Sequence, residues 1–239
     1  MKHPQIVRSL VAVFISLGCV CNAPLHAQAP QSFNRTLLGS PTIPGPISVY
    51  DNWSVYDELS DHVPLTQELA MNELDQVLRL KKAGARFDYY AMDAFWFDPD
   101  GAYRTWKKPN WPDGPEPWIQ KCKQNGILPG LWFSTNTLVQ IHAAPQWRDS
   151  LNKQGGAMSM FEGGFLPDFM KTLQYWYDDG VRMFLFDFAD LTAATPQSEA
   201  TLTKEEIVRR NSAALRNALQ DFRKKIRMWF SKRSTVSAV

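Results

Sequence analysis

Four apolar runs of strand length alternate along this chain with four helix-length amphipathic stretches, and that order allows few folds other than a parallel sheet. The runs are Ile47 to Tyr50, Phe87 to Met92, Ile127 to Phe133 and Val181 to Phe186. After the first, Thr66 is placed to cap a helix whose apolar positions Leu69, Ala70, Leu74, Val77 and Leu78 share one face. Lys81 and Lys82 suit its negative end and Gly84 stops it. The spacing predicts further helices over Pro117 to Gln124, Asp168 to Tyr177 and Thr203 to Lys224.

Two architectures compete for such an order. No glycine-rich phosphate turn follows the first strand, which counts against a doubly wound nucleotide-binding sheet. Long aromatic loops follow the strands instead, as in a (β/α)8 TIM barrel, whose site is built at the strand C-termini. Four units make half of one, so the expected fold is α/β, an incomplete barrel over residues 47–225.

Residues 1–27 read as a secretory signal. Lys2, His3 and Arg8 form a basic start, Leu10 to Val20 an apolar run, and Leu25, His26 and Ala27 a cleavage site before Gln28. The mature chain is therefore expected to be secreted or periplasmic, the lipoprotein alternative through Cys19 fitting less well because Ser16 stands where a large aliphatic residue belongs. The apolar run is shorter than the roughly 20 residues of a spanning helix, so no membrane span is expected. Residues 28–46, rich in Pro, Ser, Thr and Gly, suit an extended lead-in. Residues 226–239 follow neither period and read as an out-of-frame tail: with one choice of codons, a single restored base gives a turn, an apolar run and a glycine loop, as a fifth strand would need.

Charge and ligand counts narrow the function. A net charge of +2 is too small to argue for nucleic acid. His3, His26, His62 and His142 show no paired ligand spacing, so neither metal nor cofactor is expected. Cys19 and Cys21 leave with the signal, so Cys122 keeps no partner within the chain.

Asp51, Asp93 and Asp187 each follow a predicted strand, and a parallel sheet brings all three to one rim. Trp53, Trp96, Trp106, Trp111 and Trp132 lie in or beside the same loops. Paired carboxyls and aromatic faces are what glycoside hydrolysis requires. Asp51 and Asp190 also suit helix-cap or loop roles, and Trp132 suits a barrel core.

Five stretches in this order resemble glycoside hydrolase family 36 and its melibiase relatives, which include α-galactosidases. They are Tyr50-Asp51-Asn52-Trp53, Met92-Asp93-Ala94-Phe95-Trp96-Phe97, Trp111-Pro112-Asp113-Gly114, Gly130-Leu131-Trp132-Phe133 and Phe186-Asp187. The resemblance spans Ile47 to Lys225. It implies a retaining glycosidase with Asp187 as nucleophile, Asp93 gripping sugar hydroxyls, Trp53, Trp96 and Trp132 at the substrate, and a general acid on a sixth strand. Two positions depart from that pattern: Ala94 stands where the family has a second carboxylate, and Leu185 where it has a lysine. The expected partner is a carbohydrate, with self-association through open barrel edges. Without the sixth-strand acid the chain is expected to be inactive; the competing reading is a secreted carbohydrate-binding protein without turnover.

Overall fold

A computed structural model describes residues 46–55, 65–94 and 96–234, with side chains described through Ile226. The signal at 1–27, the lead-in up to 45, Phe95, His62 and residues 235–239 lie outside the described residues. Strands β1 (Val49–Asp51), β2 (Tyr89–Met92), β3 (Leu128–Ser134) and β4 (Met183–Asp187) form one sheet in the order β1-β2-β3-β4, each neighbouring pair parallel. Space repeats sequence order, and a helix crosses back after each of the first three strands, as the sequence alternation predicts. The result is an incomplete (β/α) barrel of four units, with β1 and β4 at the edges of the described sheet.

Helix α1 (Gln67–Lys82) starts where Thr66 Oγ1 accepts the Leu69 N–H at 3.2 Å, and it buries Ala70, Glu73, Leu74 and Val77. Helix α2 (Glu116–Gln124) follows Pro115 and buries Trp118, Ile119 and Cys122. Burial pushes the free Cys122 thiol up to about 12, so it packs as a small apolar group. A 3₁₀ turn, Pro145–Ser150, precedes α3 (Phe165–Asp179), and Gly180 closes α3 at φ 118°, a conformation that favours glycine. Helix α4 (Pro196–Thr201) is capped by Thr195, and α5 runs from Lys204 to Ser234. The 3₁₀ turn and α4, each of 6 residues, are too short to show a period and were not foreseen. Helix α5 continues through Ser234, past the end of the predicted helix at Lys224.

Side chains alternate across the sheet. Tyr90, Phe133, Phe184 and Phe186 face the helices: Tyr90 meets Ala70 and Trp118, Phe133 and Phe186 meet Phe169 of α3, and Phe184 meets Phe222 of α5. The other set, Asp51, Ala91, Gly130 and Met183 in register, then Trp132 beside Leu185 and Ser134 beside Asp187, lies on the opposite face. Gly130 has no room for a side chain, since a Cβ there would stand 2.9 Å from Met183 Cβ. Apolar β4 is only half-buried from Met183 to Phe186, unlike an interior strand of a closed parallel barrel.

Candidate active site

Asp51 ends β1, Asp93 follows β2 and Asp187 ends β4, so the parallel order sets all three at the same rim. Their neighbours hold them differently. Asp187 is exposed, and its Oδ1 accepts the N–H of Phe188 at 2.7 Å. That bond requires Phe188 to take a left-handed backbone, φ 49°, a conformation that costs on the order of 1–3 kcal/mol in a residue with a side chain. The Asp187 carbonyl is fixed by Thr135 N–H at 2.7 Å. Strain beside a functional carboxylate is where such cost is usually found.

Asp93 is 5% exposed. Its own N–H donates to Asn52 Oδ1 at 2.7 Å, and its Oδ1 accepts the Ala94 N–H at 2.6 Å. Burial, then the negative charges of Asp51 and Asp187, outweigh the Ala94 bond and push the Asp93 carboxyl up to about 7. Burial also raises Asp51, against the stabilising Trp53 N–H at 3.0 Å and a hydrogen bond shared with Asp93. Burial thus favours the protonated form of both carboxyls, most strongly at Asp93.

A pH dependence follows. An unfolded aspartate ionises near 3.8, whereas folded Asp93 keeps its proton to about 7. The folded state binds more protons between those values, so this group's contribution to stability is full below about pH 4 and lost as pH rises through 7. Denaturant titrations at pH 5 and 7.5 should show the native protein weaker at the higher pH, and Asp93→Asn should flatten the difference. An unchanged slope in that variant would show that Asp93 titrates normally.

The tryptophans divide. Trp53 follows Asp51 in a short helical turn and is 38% exposed, with a face open to a ligand. Trp96 is fully buried behind the sheet, its rings against Phe97, Tyr103, Trp106, Phe133 and Trp176, and its Nε1 donates to the Trp132 carbonyl at 3.0 Å. This corrects the expectation of a sugar-stacking role for Trp96. Trp132 lies on the opposite face but is 4% exposed, stacked on Phe97 at 6.2 Å and edge-on to Phe188 at 6.1 Å, so it supports the rim from beneath. The outer aromatic surface is Phe188, 47% exposed.

Asp190 is a loop residue: its carboxylate accepts the Thr192 N–H and hydroxyl at 2.8 and 2.7 Å. Buried Asn136 pairs with its backbone in both directions at 2.8 Å, tying the loop after β4 to the loop after β3. Neither Asn136 nor Asn52 was singled out from the sequence, since each acts through contacts more than forty positions away. Among the described residues no group of three or more His, Cys, Asp or Glu is arranged to hold a metal ion, and no helix is long and apolar enough to cross a membrane.

No protein-family model matches the sequence, and no curated protein does. Solved structures do. The α-galactosidase of Lactobacillus brevis superposes with a TM-score of 0.55 at 15% identity, over 75% of this chain and 25% of that one. The α-galactosidase TtGalA of Thermus thermophilus, solved with p-nitrophenyl α-D-galactopyranoside, gives 0.53 at 17% identity, over 72% and 36%. A variant of the GH36 α-galactosidase AgaA of Geobacillus stearothermophilus, solved with stachyose, gives 0.52 at 13%, over 75% and 26%. The chain thus has the fold of an α-galactosidase-like domain and spans between 25% and 36% of the length of these enzymes.

Proposed function

We propose that this chain is the nucleophile-bearing half of a retaining glycoside hydrolase of α-galactosidase type, acting on an O-glycosyl bond in carbohydrate metabolism, and that as it stands it does not turn over. The observation that carries this is Asp187: an exposed carboxylate at the end of the fourth parallel strand, fixed by a strained successor and sharing its rim with Asp93 and Asp51. Likeness of fold to α-galactosidases supports the substrate class. Asp187 is the nucleophile, Asp93 faces the sugar hydroxyls, and Trp53 lends an aromatic face.

An activated glycosyl fluoride tests this without needing a general acid, because fluoride leaves unaided. After incubation with 5-fluoro-α-D-galactosyl fluoride, peptide mapping by mass spectrometry should find the sugar esterified to Asp187, and Asp187→Asn should carry none. An adduct on another residue, or none at all, would remove the nucleophile assignment. The exposed faces of Trp53 and Phe188 favour a second reading, carbohydrate binding without chemistry. Saturable galactoside binding with no adduct would select it.

Export completes the proposal. Residues 1–27 direct secretion and are removed, so N-terminal sequencing of the product from a bacterial host should begin at Gln28. A mature chain starting at a lipidated Cys19 would show this wrong.

A further inference from the structure

Glu73 is a buried carboxyl that the proposed chemistry leaves without a task. It projects from α1 behind the sheet, 7% exposed, where its Oε2 accepts the Tyr90 hydroxyl. Burying a carboxyl in this way is costly unless its bonds fix something. Burial raises Glu73, while the Tyr90 hydroxyl stabilises its charged form, and its Oε1 is buried without a hydrogen-bond partner. Asn52 stands at the rim, directly after the end of β1. It is fully buried, and each of its polar groups has a role. Its N–H meets the Ala91 carbonyl at 3.3 Å, its Oδ1 takes the Asp93 N–H at 2.7 Å, and its Nδ2 lies 3.3 Å from Met92 Sδ.

Asn52 is also the residue directly after Asp51. One side chain thus ties the exit of β1, which carries Asp51, to the exit of β2, which carries Asp93, at the point where both chains leave the ladder. Pairing of β1 with β2 ends at Asp51 opposite Ala91, while β2 stays paired with β3 through Met92, so on the β1 side Asp93 is held by the Asn52 side chain.

We propose that Asn52 is the positioning residue that holds the exits of β1 and β2 together and so keeps Asp51 and Asp93 side by side at the rim. The proposal rests on the reading of this rim as a sugar site: carboxyls held close together favour protonation of one of them, whereas a separated pair presents two charges to a ligand. Without the Asn52 amide the Asp93 N–H loses its acceptor next to β1, and Asp93 moves away from Asp51 and toward solvent. Each of the two main causes that raise Asp93, burial and the neighbouring charge, then weakens. The charged groups facing Asp93 are Asp51 and Asp187.

The test is a pH titration of the aspartate side-chain carboxyls by ¹³C NMR on the 239-residue chain, with Asp93→Asn to assign the signal. In the native protein Asp93 should titrate near 7. In Asn52→Ala its midpoint should fall by about one unit or more, the scale of shift that a single lost neighbour or a partial gain of solvent produces. A folded Asn52→Ala protein whose Asp93 midpoint is unmoved would overturn the proposal. Should Asn52→Ala fail to fold, the native protein decides: a scalar coupling across the hydrogen bond from Asp93 N to Asn52 Cγ, with slow exchange of that amide, upholds the tie, and a fast-exchanging amide without coupling overturns it. The titration reads the carboxyl pair directly, so its failure is distinct from failure of glycosyl-fluoride trapping, which addresses the sugar reading alone.

Discussion

Given an aryl α-galactoside, the 239-residue chain is expected to release no aglycone above the uncatalysed background. In retaining hydrolysis the nucleophile attacks while a second carboxyl about 5–5.5 Å away protonates the leaving oxygen. Asp187 is free to attack, but neither neighbour is free to donate. Asp93 is 5% exposed with its Oδ1 held by the Ala94 N–H, and Asp51 already accepts the Trp53 N–H. Losing general-acid assistance costs about 10²–10⁴ in rate. A soluble, monomeric preparation that hydrolyses the aryl galactoside, and stops doing so as Asp187→Asn, would mean that Asp93, Asp51 or water serves as the acid after all. The same chain should be prone to self-association, because β1 and β4 end the described sheet with their outer ladders unpaired.

The largest effect on stability is expected at Trp96. Its ring has no exposure and is surrounded by Phe97, Tyr103, Trp106, Phe133 and Trp176, which come from the loop after β2, from β3 and from α3. Removing it leaves a void where three elements meet. Trp96→Ala should therefore cost about 3–5 kcal/mol, as for large-to-small changes at buried aromatic sites, read as a fall in the denaturant midpoint. Trp53→Ala, at a position 38% exposed, should change stability little and serves as the contrast. Equal losses from the two would contradict the division between core and rim.

How far the sequence could be read depended on whether the information was local. Strand ends came within about two residues because each run is bounded by polar or turn residues, and Thr66, Gly180 and the lysines of α1 mark helix ends by chemistry that acts over a single turn. The three aspartates at one rim followed from the parallel order alone. Asp51 showed how two roles can coincide: it is both the local acceptor for Trp53 and a member of the carboxyl pair. The fate of the tryptophans was not legible, since an indole suits a core and a sugar surface equally. Only the turn after β2 decides that Trp96 goes behind the sheet while Trp53 stays outside. Asn52 lay beyond reach for a different reason, because its meaning is a contact with a residue 41 positions away.

The strand order has a consequence for how the molecule comes into being. Each strand lies beside the one made just before it, so every pairing closes over one intervening helix and its loops rather than over the whole chain. During synthesis β2 finds β1 waiting, β3 finds the pair, and β4 finds the three, so the sheet grows by accretion at one margin in the direction of translation. No strand must be inserted between two already joined. A ribosome paused after any helix of this chain would hold a shorter sheet in its final register, which limits the search for partners at each step to a single open edge.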